Sequence, residues 1–223
     1  LEERAELLLR EAQEDVKRIL SFNIVGQIGY MLVGVGLFDV AGLAAVIVSL
    51  VHHIVVKTSL FLTEGLIEHH AGTSRLDHLG GLVRRAPAVA WCFGVAALAL
   101  VGIPPLSGFV SKFALFGAIA HRQEWWILGV AVAVSLLTLF SMTKIWIGAF
   151  WAPADPAVAG AADRSAPAAA PRPTPVLMLA PTVVLVAATV ALGVLGGPLV
   201  DLATRAAGDL VHPSGYLRAV GGR

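Results

Sequence analysis

Five long apolar stretches constrain this chain more than any other feature of its sequence. A helix that crosses a bilayer needs about 20 mostly apolar residues, and five regions reach that length. Charged residues make up only 14% of the 223 residues, against about 25% in average soluble domains. Because strand-like alternation is not apparent, we predict an all-α integral membrane protein with about five transmembrane helices. Their approximate bounds are 19–37, 42–67, 88–120, 125–151 and 175–199.

The rest of the composition excludes several functional classes. The formal net charge is only +1, so nothing global indicates a nucleic-acid partner. The single cysteine, Cys92, cannot form an internal disulfide. The sequence contains no glycine-rich phosphate loop and no paired acid/base set. We therefore predict that the protein is not an enzyme and has no catalytic residues, cofactor or metal site.

The segments around the apolar stretches indicate how the chain is organised. Residues 1–18 are charged and helix-prone, which predicts an amphipathic entry segment on the cytoplasmic side. Four spans occupy 19–151, and the Ala/Pro-rich stretch 152–174 predicts a cytoplasmic loop. The last span covers 175–199, and a polar tail covers 200–223. Because the first residue is leucine, we expect this chain to be the C-terminal part of a longer protein.

Basic residues are distributed unevenly between the two sides that five spans define. Short loops rich in Lys and Arg face the cytoplasm, so the more basic side is predicted to be cytoplasmic. The N-terminus would then lie inside and the C-terminus outside. The basic side carries Arg4, Arg10, Lys17, Arg18, Arg75, Arg84, Arg85, Arg164 and Arg172, and the other side carries Arg122, Arg205, Arg218 and Arg223.

The second span carries titratable residues where a lipid-facing helix would have none. Lys57 lies near its centre, and a charge at that depth costs from a few to more than ten kcal/mol. His53 stands one turn earlier, and histidine titrates near neutral pH, so the two form a candidate proton-relay pair. At 100° per residue they lie on one polar face, whereas His52 points away from it. The other members of that face are Ser49, Glu64 and Glu68.

Two other interpretations of these residues remain open at this point. Lys57 could snorkel to the membrane surface, although it lies about 20 Å from each polar flank. His52 and His53 could ligate a metal. However, adjacent helical residues face different directions, and no third ligand is near in the sequence. A buried functional lysine is the interpretation we favour.

The third span contains the segment GIPPLSGFVSK, which predicts a break. Proline lacks the amide donor and clashes with the preceding turn. A continuous helix over 88–120 would measure about 50 Å, whereas the hydrocarbon core is about 30 Å thick. We therefore predict a helix broken at 102–109, the arrangement that transporters use for ion sites near the midplane. The residues that form the break are Gly102, Pro104, Pro105 and Gly108.

A second lysine inside an apolar run follows this break. Lys112 lies in the first turn after it, which makes it a candidate for the same proton path as Lys57. The alternative is a simple proline kink beside a lysine at the membrane interface.

Four segments in this order are similar to a known family: QEDVKRILSFNIVGQIGYM, HHIVVKTSLFL, LGGLVRRAP and GIPPLSGFVSKF. They resemble the proton-pumping, antiporter-like membrane subunits shared by respiratory complex I and the multi-subunit Mrp-type sodium/proton antiporters. The phrase LSFNIVGQIGYM and the doubled histidine favour the D subunit of the Mrp-type antiporters over the complex I relatives. The resemblance covers about residues 13–151.

The resemblance also implies a fold and a role for individual residues. The family is built from two inverted five-helix repeats, each with a broken helix that carries an essential charged residue. This sequence is similar to the second repeat and the helices after it, so 19–151 would form one half of a proton channel. By resemblance, Lys57 is the central lysine, His53 its relay neighbour and Lys112 the terminal lysine on the broken helix. The candidate proton-translocating residues are thus Lys57, His53, Lys112, His52 and Glu64.

The function that the resemblance implies is a proton-translocating membrane subunit of a monovalent cation (sodium)/proton antiporter in the bacterial cell membrane. Its expected partners are the lipid bilayer, other subunits of a hetero-oligomeric complex, protons and a monovalent cation. One alternative is a proton-pumping subunit of NADH-quinone oxidoreductase or of a membrane-bound hydrogenase. Another is a non-conducting structural fragment of such a complex.

Overall fold

The computed structural model describes residues 14–153, 174–213 and 220–221, and every regular element in these ranges is helical. The prediction of an all-α membrane protein is confirmed. The predicted entry segment up to residue 13, the Ala/Pro-rich loop between 154 and 173, and residues 214–219 and 222–223 of the predicted tail lie outside the described residues. The helices are α1 Val16–Gly36, α2 Val40–Ala71, α3 Leu82–Arg85, α4 Pro87–Val101, α5 Ser107–His121, α6 Trp125–Trp146, α7 Val176–Val194 and α8 Gly196–Val211.

Two aspartates define where the first two long helices begin. Asp15 accepts a hydrogen bond from the backbone N–H of Arg18 at 3.1 Å, and Asp39 accepts one from Gly42 at 2.7 Å. Each carboxylate satisfies an amide that the first helical turn leaves unpaired. The second helix ends at Gly72 in the left-handed conformation, with φ +76°. It has 32 residues, or about 48 Å, so it is longer than the hydrocarbon core is thick. It exceeds the predicted bounds of 42–67 by a few residues at each end.

The third predicted span consists of two helices, α4 and α5, which are separated by residues 102–106. Gly102 ends α4 with φ +96°, and the Pro104–Pro105 peptide bond is cis. Helix α5 resumes at Ser107, so the break is shorter than the predicted 102–109. Gly108 therefore lies in the first turn of α5 rather than in the break.

Helix α2 is the centre of the bundle, and α1, α4, α5, α7 and α8 all pack against it. The outer faces carry large exposed apolar side chains, among them Phe22, Leu32, Phe140 and Val184, as expected for surfaces that face lipid. Four helices are long and apolar enough to cross a membrane: Val16–Gly36, Val40–Ala71, Trp125–Trp151 including its π-helical last turn, and Val176–Val194. The shorter apolar helix Pro87–Val101 is the first half of the broken span.

Hydrogen bonds connect the loop after α2 to the start of α1 at one end of the bundle. We call this end the Lys17 end. Val16 donates a backbone hydrogen bond to the carbonyl of Ser74 at 3.0 Å. In the same loop, Arg75 donates two hydrogen bonds to the Asp77 carboxylate, at 3.1 and 2.9 Å. This pairing holds the pKa of Asp77 below its usual range. At the opposite end, which we call the Arg122 end, Arg122 donates to the carbonyl of Leu37 at 3.1 Å.

The last helix differs from the expectation of a polar tail after residue 199. Helix α8 begins at Gly196, immediately after α7, and continues to Val211. Its small residues Ala203 and Ala207 are buried against Ala44 and Val48 of α2. Its polar residues Asp201, Arg205 and Asp209 are exposed. The tail is polar in composition, but its apolar residues recur every four positions, which is the spacing of one helix face.

Candidate functional site

The structure buries Lys57 inside the bundle. Only 6% of the residue is exposed, and its Nζ donates a hydrogen bond to the carbonyl of Leu20 on α1 at 2.7 Å. That carbonyl has a second lone pair beyond the one its own helix uses. The amine therefore ends on a neighbouring helix and does not reach the membrane surface as a snorkelling lysine would.

His53, one turn before Lys57, is half-buried. Its Nδ1 atom is buried and makes no hydrogen bond within the described part of the chain. His53 and Lys57 are therefore one turn apart on the same helix, but no hydrogen bond joins their side chains.

His52 points in another direction, towards the broken helix. Its Nδ1 lies 2.8 Å from Oγ of Ser107, the first residue of α5. One turn earlier on α2, Ser49 shares a 2.7 Å hydrogen bond with Ser111. The antiparallel register of α2 and α5 thus pairs polar residues in two successive turns. The sequence identifies Ser49 as part of the polar face of α2. It does not identify Ser107 and Ser111, the partners on α5.

Lys112 uses a backbone acceptor that the break creates. In a continuous helix, the carbonyl of Val101 would accept from the amide of residue 105, but Pro105 has no N–H. Lys112 Nζ donates to this carbonyl at 2.6 Å. It also donates to Ser135 of α6 at 2.8 Å. The prolines therefore leave an unpaired acceptor within reach of the second buried lysine.

A small polar cavity of about 10 Å³ lies between His52 and Lys112, a volume at the lower bound for one water molecule. The Nε2 atoms of Gln27 and His52 are buried and make no hydrogen bond within the described residues. The Lys112 amine lies 5.8 Å from the centre of the Tyr30 ring. The lining residues are Gln27, Tyr30, Met31, Ser49, His52, Ser111, Lys112 and Leu115.

Glu64 lies near the Lys17 end of the bundle, two turns from Lys57, or about 10 Å along α2. It is 2% exposed, and its Oε1 lies 3.7 Å from Nζ of Lys17. Lys17 makes its shorter contact, at 2.6 Å, with Glu68. Glu64 and Lys57 are therefore separate groups along one helix face. In the described ranges, no three His, Cys, Asp or Glu side chains could hold a metal ion together.

Gly108 lets the two halves of the broken helix and α2 come close together. A Cβ atom at this position would collide with the carbonyl oxygen of Ala99 and would lie 3.0 Å from the ring of His52. We expect Gly108→Ala to destabilise the folded protein by about 1–3 kcal/mol, because backbone must move to relieve the clash. The melting temperature of the detergent-purified full-length protein should fall.

The matched control for this substitution is Gly117→Ala on the same helix, where a Cβ meets nothing within 4 Å. There the added methyl group should be neutral or slightly stabilising, because alanine is the better helix former. Equal melting temperatures for the two variants would show that the close approach at Gly108 has no energetic consequence.

Buried lysines, a broken helix and a long central helix together define a class of polytopic membrane protein with polar groups across its interior. Residues 8–138 match the family model described as NADH:quinone oxidoreductase/Mrp antiporter, TM. The chain belongs to this family, and the resemblance seen in the four sequence segments is confirmed.

Individual relatives agree with this assignment. The D subunit of the Na(+)/H(+) antiporter of Alkalihalophilus pseudofirmus is 40% identical over 209 residues, which cover 94% of this chain and 40% of that protein. The NADH-quinone oxidoreductase subunit N 2 of Solidesulfovibrio magneticus is 34% identical over 90% of this chain and 40% of that protein. A chain of the Mrp complex from Dietzia sp. DQ12-45-1b superposes with a TM-score of 0.83 at 38% identity, covering 94% of this chain and 46% of that one. The chain thus spans less than half the length of these relatives.

Proposed function

We propose that this chain forms a proton-conducting part of a monovalent cation (sodium)/proton antiporter subunit in the bacterial cell membrane. The full protein would work with other subunits of a hetero-oligomeric complex and would be a transporter subunit rather than an enzyme. The name of the A. pseudofirmus relative, a Na(+)/H(+) antiporter subunit, and the family description, which includes the Mrp antiporter, support this choice of activity.

The observation that carries the proposal is the environment of the two buried lysines. Lys57 donates to a backbone carbonyl, and Lys112 donates to a backbone carbonyl and a hydroxyl. Among the described residues, neither amine has a carboxylate within 4 Å. A carboxylate partner would hold the ammonium form in place. Neutral partners leave the proton of each lysine exchangeable.

The route we propose follows α2 and then crosses to α5. Protons would enter near Glu64 at the Lys17 end and reach Lys57, with His53 as its exchange partner. His52 and the polar cavity would connect this point to Lys112. Because the more basic loops lie at the Lys17 end, we assign that end to the cytoplasm, so the C-terminal end faces outside.

A second candidate is the proton-pumping role of the complex I branch, where electron transfer would supply the driving force. The similarity to the S. magneticus NADH-quinone oxidoreductase subunit supports it, since that relative covers 90% of this chain. The same buried lysines would serve in both cases.

Inverted membrane vesicles from cells that make the full-length protein and its assembly, in a host without its own sodium/proton antiporters, would separate the two candidates. With a pH gradient already formed, we expect added sodium to dissipate the gradient, as reported by a pH-sensitive dye. Dissipation by sodium supports the antiporter. The antiporter proposal would be overturned if sodium had no effect and NADH drove proton movement that depends on this protein. That result would favour the second candidate.

Ser107 tests the proposed step from α2 to the broken helix. Its hydroxyl is the partner of His52 Nδ1, so Ser107→Ala removes the polar link but little volume. We expect sodium-dependent exchange to fall about tenfold, equivalent to about 1.4 kcal/mol, with the amount of assembled protein unchanged. Ser141→Ala is the control, because that exposed hydroxyl bonds only the Leu137 carbonyl of its own helix among described residues. Equal rates for the two variants would remove His52 and Ser107 from the route.

A further inference from the structure

An apolar groove of about 500 Å³ runs along the outer surface between α4 and α6. Trp91, Val95 and Leu98 form its α4 side, and Leu139 and Met142 line its α6 side. None of these side chains carries a charge. An apolar groove on a transmembrane helix pair suits an apolar occupant, which is either a membrane lipid or another transmembrane segment.

Two positive charges stand in the chain segment that lines one end of this groove. Val83 and Pro87 line the groove at the Lys17 end, and the exposed residues Arg84 and Arg85 lie between them. Neither arginine forms an ion pair with another residue in the described part of the chain. Gly81, just before α3, donates a hydrogen bond to the carbonyl of Ala152 at 2.8 Å. This bond joins the loop before the arginine pair to the residue that follows the π-helical turn after α6.

The position of the tryptophans places this charged end at the membrane surface. Trp91 is 75% exposed and Trp151 is 65% exposed, and both line the groove near its arginine end. Tryptophan is enriched at the level of the lipid headgroups. The arginines therefore lie where phosphate groups lie, and the rest of the groove extends towards the bilayer centre at Val101.

The length of the groove is close to the thickness of one leaflet of the bilayer. Helix α4 from Pro87 to Val101 is about 20 Å long, comparable to the thickness of one leaflet, which is about 15 Å. A single acyl chain can therefore lie along the groove from the headgroup level to the bilayer centre.

We propose that this groove is a binding site for an anionic phospholipid. One acyl chain lies between α4 and α6, and the headgroup phosphate is bound by Arg84 and Arg85. Basic sites between transmembrane helices on the cytoplasmic side recognise anionic headgroups in this way. The proposal concerns lipid recognition alone and does not depend on proton movement by this protein.

Photocrosslinking in the full-length protein and its assembly tests which molecule occupies the groove. A photoreactive amino acid replaces Leu98 at the deep end of the groove. In a second sample it replaces Leu137, which is 64% exposed on α6 but does not line the groove. Mass spectrometry of the products identifies the attached molecule. We expect the ratio of anionic to zwitterionic phospholipid adducts to be at least fivefold higher at position 98 than at 137.

The arginine pair supplies the second arm of the experiment. Arg84→Gln with Arg85→Gln should remove the enrichment at position 98, whereas Arg18→Gln, an exposed basic residue at the same end but outside the groove, should leave it unchanged. Three outcomes would overturn the proposal: a polypeptide adduct at position 98, equal lipid ratios at the two positions, or an enrichment that survives the double substitution. The first would identify the groove as a contact for another transmembrane helix.

Discussion

Replacing Lys112 by methionine is expected to lower sodium-dependent proton exchange by at least about tenfold, or 1.4 kcal/mol or more. Methionine keeps a long unbranched side chain but cannot carry a proton. The Val101 carbonyl and Ser135 would lose their shared donor, but the Ser135 hydroxyl still lies 3.4 Å from the Val101 carbonyl and can donate to it. The rate of sodium-induced recovery of a pH-sensitive dye in inverted vesicles measures the effect.

Lys144→Met is the matched control for this substitution, because Lys144 lies in α6 near the Lys17 end and outside the proposed route. The two variants should be present in equal amounts in the purified assembly. If Lys112→Met exchanged protons as fast as Lys144→Met, Lys112 would not belong to the path. The interpretation as a non-conducting structural fragment predicts that result.

Lys57→Met is expected to cause a loss of the same size. Lys57 is the group that the proposed route places between Glu64 and the two histidines, so protons would have no carrier over about 16 Å of α2, from Glu64 to His53. Methionine fills a similar volume, and the Leu20 carbonyl keeps the hydrogen bond of its own helix when the lysine amine is removed. Loss of exchange should therefore occur without loss of assembled protein.

The double substitution Lys57→Met with Lys112→Met tests whether the two residues lie on one path. In a serial path, the double variant should retain the same residual rate as either single variant. If the two lysines served two parallel routes, each single variant would keep the flux through the other route, and only the double variant would lose both. A normal rate for Lys57→Met alone would exclude Lys57 from the path.

The sequence made the two lysines and the broken helix predictable, because each violates a strong rule of the membrane interior. A lysine at the centre of an apolar span is expensive, and two adjacent prolines cannot continue a helix. Lys57, Lys112 and the pair Pro104–Pro105 could therefore be found without a structure. The burial of both amines and the break at 102–106 agree with those expectations.

The contacts between helices could not be predicted, because they depend on register. The pairs His52–Ser107 and Ser49–Ser111 form only when α2 and α5 lie antiparallel with one particular offset. A single serine has no periodicity that distinguishes a buried partner from an ordinary helix residue. The free carbonyl of Val101 could have been predicted from the sequence, because Pro105 lacks the N–H that would pair with it in a continuous helix.

The sequence predicted a polar tail where the structure has helix α8, and the reason is different. Its segment is too polar for a transmembrane span, so its composition indicated a tail. Ala203 and Ala207 are four residues apart and pack against α2, a spacing that identifies one face of a helix. Periodicity was the better guide than composition in this segment.

Proton movement through the purified assembly is the most direct test of the proposed route. The full-length protein with its partner subunits is reconstituted into liposomes that contain a pH-sensitive dye, and a sodium gradient is applied. We predict that the wild-type assembly changes the internal pH, while the variant with Lys57→Met and Lys112→Met changes it at no more than about a tenth of the wild-type rate, or 1.4 kcal/mol or more. A double variant that moves protons at the wild-type rate would contradict the proposal that these two buried lysines carry the protons.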